Sequence, residues 1–161
     1  METLLSISDR YPRQQLQAGE ILIVDGESVR ELFVLVSGKL NVEKDGSLVA
    51  TVVEPGACVG ELSLLLGTAA TADVVAAEES VLAVIDDAAT MLDGGHALPL
   101  ALAQLLAKRL QVMTSYLADL KQQYADHEGG LGMIDTVLGT LVQSGGPRSE
   151  LRSERDPDPE Y

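Results

Sequence analysis

Short apolar runs separated by turn dipeptides fill the first half of the chain, from about Gly19 to Ile85. The runs are rich in Val, Leu and Ile, and they cover residues 20–25, 31–37, 39–44, 48–54, 72–76 and 80–86. The dipeptides between them suit tight turns, because Gly accepts a positive φ; they are Asp25-Gly26, Ser37-Gly38, Asp45-Gly46 and Pro55-Gly56. The pattern predicts a sandwich or barrel of short antiparallel strands, with a hairpin at Asp45-Gly46.

A helical period replaces this pattern near Pro99, a residue that suits the first turn of a helix. Apolar residues then recur at spacings of 4, 4, 3, 4, 3 and 4; they are Leu102, Leu106, Leu110, Met113, Leu117, Leu120 and Tyr124. A seam of this kind over about three heptads predicts a coiled-coil helix over 99–127 that makes a homodimer. The alternative is one amphipathic helix that packs on its own domain.

The rest of the chain is shorter and more polar. Glu128-Gly129-Gly130 is expected to end the long helix. The apolar spacing after Leu131 predicts a short helix over 128–143, and the polar composition of 144–161 predicts a disordered tail. Residues 1–98 are then expected to form the β domain with its N-terminal segment.

Composition narrows the possible functions. The 161 residues are 46% hydrophobic and only 3% aromatic, which fits one domain with an aliphatic core. With 25 acidic and 11 basic residues, the formal charge of −14 argues against nucleic acid and anionic membranes as partners. The single cysteine, Cys58, excludes an internal disulfide and is expected to be a buried structural thiol. No apolar segment indicates a signal peptide or membrane span, so a cytoplasmic location is expected.

One segment carries candidate chemistry: Gly60-Glu61-Leu62-Ser63 directly follows an apolar run. Gly60 would let the backbone approach a ligand, and the amides at the start of a helix attract anions. The carboxylate of Glu61 could accept hydrogen bonds from the vicinal hydroxyls of a sugar. The alternative is structural, with Gly60 as a turn glycine and Glu61 in the first turn of a helix.

The order of these segments over residues 17–126 resembles the cyclic-nucleotide-binding domain of catabolite-activator-type regulators, protein kinase A regulatory subunits and nucleotide-gated channels. The glycines fall where that family has them: Gly19, Gly26, Gly38, Gly56 and Gly60. The resemblance implies a mainly β fold with a C-terminal α part. It consists of an eight-stranded β jelly roll (double-stranded β-helix), a short cassette helix, and a long helix that dimerises in bacterial members.

The cassette departs from the family pattern at its most important position. The family's Gly-Glu-Leu is followed about seven residues later by Pro-Arg-Ala or Arg-Ser, where Glu holds the ribose 2′-hydroxyl and Arg pairs with the cyclic phosphate. Here Ala69 and Ala70 occupy the Pro and Arg positions. The resemblance implies ligand-binding candidates at Gly60, Glu61, Leu62, Ser63, Ala70, Thr71 and Ala72.

Loss of the guanidinium has a calculable consequence. A charge-assisted contact between arginine and phosphate contributes roughly 1.5–3 kcal/mol to the free energy of binding. Its absence therefore weakens the affinity by about 10- to 100-fold. We therefore expect cyclic AMP or cyclic GMP to be at most a weak ligand. Arg30 is a possible substitute for the missing cation, whereas Asp73 would add negative charge if it faces the site. Thr114 or Ser115 could offer a hydroxyl to a base, or both could simply face solvent.

Two other functional classes lack the residues they need. His96 and His127 lie outside the β region, and no nucleophile lies in a motif with a base, so no enzyme activity, metal or cofactor is expected. No Lys or Arg occurs between Lys121 and Arg148, so no DNA-recognition helix is expected. The sequence predicts a non-enzymatic sensor that signals to an unidentified protein partner. The alternative is a scaffolding dimer that binds no small molecule.

Overall fold

The computed structural model describes residues 3–124 and 131–142, and the chain divides into two compact units, Met1–Leu106 and Ala107–Tyr161. The first unit contains eight strands; they are β1 (Arg13–Leu16), β2 (Ile21–Ile23), β3 (Leu32–Ser37), β4 (Leu40–Lys44), β5 (Ser47–Val52), β6 (Cys58–Val59), β7 (Asp73–Ala76) and β8 (Ser80–Ile85). Its short helices are α1 (Leu4–Ser8), α2 (Glu61–Leu66) and α3 (Ala88–Leu92). The long helix α4 (Ala97–Gln123) begins in the first unit, and α5 (Leu131–Val142) belongs to the second.

The strands form two four-stranded sheets, ordered β1-β8-β3-β6 and β2-β7-β4-β5, in which every pairing is antiparallel. This confirms the predicted eight-stranded jelly roll. The predicted hairpin is also present, since Lys44 pairs with Ser47 and both Asp45 and Gly46 have a positive φ. A two-residue turn of that kind matches the right-handed twist of the flanking strands.

Strand β3 separates two hydrophobic clusters. Leu32 and Val34 point into a cluster that also holds side chains of α1, α3 and the start of α4. Phe33 and Leu35 point into a second cluster, formed with side chains from the other sheet. Successive side chains of a strand face opposite ways, so an unbroken apolar run follows when both faces are covered.

The start of α4 corrects one of the predicted coiled-coil contacts. The helix begins two residues before Pro99, and its first turns bury Leu98, Ala101 and Leu102. Leu102 is only 1% exposed and belongs to the cluster of the first unit, so it is not a dimer-seam residue. The seam assignment for Leu102 was wrong because a heptad pattern does not show whether a leucine packs on its own domain or on a partner.

The second unit consists of the rest of α4 and the helix α5. Lys121 and Asp135 form an ion pair between these two helices. Within the described residues, helix α4 extends to Gln123 and α5 begins at Leu131. Residues 125–130 and 143–161, which include part of the predicted 128–143 helix and the whole predicted tail, lie outside the described residues. Among the described helices, none has the length and apolar character needed to cross a bilayer.

Candidate functional site

Gly60 connects strand β6 to helix α2 in a backbone conformation that requires glycine. Its φ is +90°, in the left-handed region that other residues rarely adopt. A Cβ at this position would lie 2.8 Å from the Glu31 carbonyl oxygen and 3.2 Å from Val29 Cγ1. The close approach of this turn to the β2–β3 connection therefore fixes where α2 begins.

Helix α2 has an unusual distribution of polarity. Glu61 and Ser63 are buried, at 5% and 7% exposure, whereas Leu62 and Leu66 are 53% and 68% exposed. A helix stabilised only by core packing would place the leucines inside and the acid in solvent. The burial of Glu61 beside exposed leucines makes it a candidate functional residue.

The segment after α2 is tied to the β2–β3 connection by the backbone of Ala70. The N–H of Ala70 donates to the Glu27 carbonyl, and its carbonyl accepts from the N–H of Gly26, each at 2.8 Å. The partly buried methyl group packs against the cluster that contains Val29 and Phe33. Since Val29 also lies against Gly60, the structure brings both ends of the predicted cassette, Gly60 and Ala70, to one side of the β domain.

The remaining cassette candidates differ in exposure. Ala72 is half-buried, whereas Thr71 is exposed. On the long helix, Thr114 is half-buried and Ser115 is exposed within the second unit. Their contacts with a ligand remain predictions.

The basic side chains of the β domain differ in their partners and in their exposure. Lys44 forms an ion pair with Asp25, and this hydrogen bond raises the pKa of Lys44. The Asp25 N–H in turn donates to the Asp73 carboxylate at 2.7 Å. Arg30 is exposed, and its role as a substitute cation stays a prediction. No Lys or Arg occurs anywhere between Gly60 and Ala72.

The seam positions of α4 beyond Leu102 are all partly or fully exposed within the chain. Leu110, Met113 and Tyr124 are 44%, 53% and 50% exposed. The half-buried positions are Leu106, Leu117 and Leu120. The described part of α4 therefore presents apolar side chains that remain partly exposed among the described residues.

A concavity that the sequence analysis missed lies between the α1–β1 connection, α3 and the residues just before α4. Its volume is about 400 Å³, and it is lined by Arg10, Tyr11, Asp87, Thr90, Met91 and His96. The Tyr11 hydroxyl donates to Asp87 Oδ1 at 2.8 Å, and the Arg10 guanidinium lies 5.4 Å from the centre of the Tyr11 ring. These residues come from separate parts of the chain, so no local motif indicates the contact.

In the described residues, no group of three or more His, Cys, Asp or Glu could hold a metal ion.

We expect Tyr11 to make stability sensitive to alkaline pH. Burial, and then the hydrogen bond to Asp87, raise the pKa of Tyr11 above its ordinary value of 10.0. The folded protein therefore holds this proton more tightly than the unfolded chain. The resulting stabilisation is complete below pH 10.0 and is lost as the pH rises through the folded-state pKa.

Urea unfolding at increasing pH tests this expectation. Tyr11→Phe should remove part of the loss of stability above pH 10.0, whereas Tyr116→Phe, at a position 63% exposed, should not. An equal alkaline loss in native protein and Tyr11→Phe would contradict the assignment.

Comparison with known proteins agrees with this geometry. Residues 13–91 match the family described as Cyclic nucleotide-binding domain. The structure is similar to the catabolite activator protein of Thermus thermophilus, with 26% identity and a TM-score of 0.56 over 76% of this chain and 57% of that one. It is also similar to the N-terminal domain of a transcriptional regulator from Streptomyces coelicolor, with 26% identity and a TM-score of 0.52 over 72% of this chain and 86% of that one. No curated protein matches the sequence.

The lengths of the similar proteins differ widely. The chain spans only 27% of the regulatory subunit of a cAMP-independent protein kinase A from Trypanosoma brucei, at 28% identity, a TM-score of 0.44 and 46% coverage of this chain. The family match nevertheless includes the whole segment from Gly60 to Ala72, together with all eight strands. Residues 13–91 of this chain therefore match the cyclic nucleotide-binding domain family.

Proposed function

We propose that this chain is a non-enzymatic regulatory sensor whose cassette binds cyclic nucleotides weakly, because Ala70 stands where the family has arginine. The observation that carries the proposal is the burial of Glu61, immediately after the positive-φ Gly60 and on the same side of the β domain as Ala70. The acid that would hold a ribose hydroxyl is kept, while the cation that would pair with a phosphate is absent.

Ala70→Arg is expected to strengthen binding of cyclic AMP or cyclic GMP by about 10- to 100-fold, the range expected for one charge-assisted contact. Isothermal titration calorimetry on the native chain and the variant measures this gain. Ala69→Arg is the matched control, because it adds the same charge at an exposed neighbouring position.

Two results would contradict the proposal. One is nanomolar binding of a cyclic nucleotide by the native chain, which would mean that another group neutralises the phosphate. The other is an Ala70→Arg variant that has the same unfolding temperature as the native chain but binds cyclic nucleotides no more tightly than Ala69→Arg does.

We propose that the sensor is a homodimer formed through α4. This is supported by the exposed apolar side chains at Leu110, Met113 and Tyr124, since isolated helices rarely leave such a stripe in water. Met113→Glu should shift the protein towards monomer at micromolar concentration, because a charge at a coiled-coil core position is desolvated without a partner. Sedimentation velocity measures the effect, and Val112→Glu, at a position 70% exposed and outside the seam, is the control. A native chain that is monomeric under these conditions would contradict the dimer.

A scaffolding module is the second candidate function. It is favoured by the exposed apolar side chains of the β4–β5 hairpin and its end, since Leu48, Val49 and Val53 are 60%, 63% and 54% exposed. Such surfaces are typical of protein contacts. A thermal-shift panel of cyclic nucleotides and nucleosides that changes the unfolding temperature would argue against this candidate.

A further inference from the structure

We propose that the concavity around Tyr11 is a second ligand site, which takes a small zwitterion with the chemistry of a free α-amino acid. The concavity lies between the α1–β1 connection, α3 and the residues just before α4, within the first unit. Its volume of about 400 Å³ lies in the range of small-molecule sites. It shares no lining residue with the cassette, so the inference does not depend on the proposed function.

Asp87 supplies the acidic group of this site. It is the N-cap residue of α3, but its side chain makes no capping hydrogen bond. An aspartate at an N-cap commonly accepts a backbone N–H of the first helical turn, because those donors have no partner within the helix. Here the Tyr11 hydroxyl donates to its Oδ1 at 2.8 Å instead. Because an ionised carboxylate accepts several hydrogen bonds, Asp87 retains the capacity to bind an ammonium group.

Arg10 supplies the basic group. Its guanidinium lies 5.4 Å from the centre of the Tyr11 ring, and its Nη2 lies 4.0 Å from Met91 Sδ. Within residues 3–124 and 131–142, Arg10 forms no ion pair. The planar guanidinium matches the two oxygens of a carboxylate. Arg10 can therefore bind the acidic end of a ligand without first breaking a salt bridge.

Tyr11 positions the two charged groups beside one cavity. It contacts Asp87 through its hydroxyl and Arg10 through its ring, and in the part of the chain that the structure describes these two charges do not pair directly. A molecule with an ammonium and a carboxylate on one carbon atom can bridge them, so that each of its charges meets the opposite charge. A simple anion gains only one of these contacts and is repelled by a chain of net charge −14.

His96, Thr90 and Met91 complete the lining. The imidazole of His96 lies over Gly94, where an added Cβ would be 2.7 Å from His96 Nε2. The absence of a side chain at residue 94 is therefore what allows the ring to take this position. The imidazole and the Thr90 hydroxyl can donate to a carboxylate, while the thioether of Met91 is an apolar surface for an aliphatic side chain.

Isothermal titration calorimetry on the native chain tests the inference with a panel of free L-amino acids that have apolar, polar and charged side chains. We expect at least one to bind with a Kd of about 1 mM or below, which suits a small ligand in an open site. The N-acetyl derivative of that amino acid lacks the ammonium charge, and its carboxamide lacks the carboxylate. Each should bind about tenfold or more weakly, because each loses one charge-assisted contact. All of these measurements use the native chain, so they do not depend on the folding of a variant.

Two variants with matched controls locate the site. Arg10→Gln should remove the preference for the free acid over the carboxamide, whereas Arg30→Gln, at an exposed arginine outside the lining, should keep it. Asp87→Asn should remove the preference for the free amine over the N-acetyl form, although its Oδ1 can still accept the Tyr11 hydroxyl. Asp86→Asn is its control, since Asp86 is an exposed neighbour that does not line the cavity.

Three results would overturn the inference. The first is that no amino acid of the panel binds with a Kd of about 1 mM or below. The second is an N-acetyl derivative or a carboxamide that binds as tightly as the free amino acid, since one of the two charges would then have no partner. The third is an equal effect of Arg10→Gln and Arg30→Gln, which would place the bound molecule elsewhere on the chain. The cassette takes part in none of these measurements, so the proposed function stands or fails separately.

Discussion

Replacing Gly38 by alanine is expected to lower the free energy of unfolding by about 2–5 kcal/mol, which combines left-handed strain with overpacking. Gly38 has a φ of +96°, and a Cβ there would lie 2.3 Å from Ser80 Oγ and 2.6 Å from the Glu79 carbonyl oxygen. Ser80 cannot turn away freely, because its hydroxyl accepts the Lys39 N–H at 3.0 Å. The β3–β4 turn must therefore move away from the start of β8.

Gly19→Ala provides the matched control. Its φ of +89° is nearly the same, but nothing lies within 4 Å of its added Cβ. The free energy of unfolding of this variant should fall only by the strain of the left-handed backbone, about 1–2 kcal/mol. Urea denaturation of both variants measures the difference, and equal losses would show that the contact with Ser80 is not as close as the structure has it.

Leu102→Ala is the second large effect, with an expected loss of about 2–5 kcal/mol in the free energy of unfolding. The side chain is 1% exposed in the first hydrophobic cluster, so its removal leaves a cavity. Leu110→Ala, at a position 44% exposed on the same helix, should cost the monomer less than about 1 kcal/mol.

The two leucine variants should also differ in assembly. Because Leu102 packs within its own chain, its substitution should lower the free energy of unfolding by the same amount at every protein concentration. Leu110→Ala should instead weaken the proposed dimer, which sedimentation detects. A Leu102→Ala variant with native stability and a broken dimer would restore the original seam assignment.

The sequence predicted most of the fold because turn chemistry and strand length are local properties. The hairpin at Asp45-Gly46 is where the dipeptide placed it, and all five glycines matched to the family have a positive φ. Strands β1 and β6 were missed for physical reasons. Strand β1 has one buried residue in four, and β6 has only two residues. Neither therefore shows the alternation of apolar and polar residues by which a strand is predicted.

The candidate site was only partly accessible to sequence reasoning. The Gly60–Glu61 step could be predicted from its motif, and the expectation that Ala70 stands in place of an arginine rests on the family resemblance alone. The burial of Glu61 and the attachment of Ala70 to the β2–β3 connection depend on contacts between distant segments. The same is true of the Tyr11–Asp87 contact, which joins residues 76 positions apart.

The outer strand β5 has a consequence for handling the protein. It lies at the end of its sheet, and residues 47–53 contain neither a charge nor a proline to discourage edge-to-edge association. Mutual repulsion between molecules carrying a net charge of −14 is then what keeps this edge from templating aggregates. Acidification neutralises the carboxylates that supply this repulsion, so solubility should fall in mildly acidic buffer before the fold itself is lost.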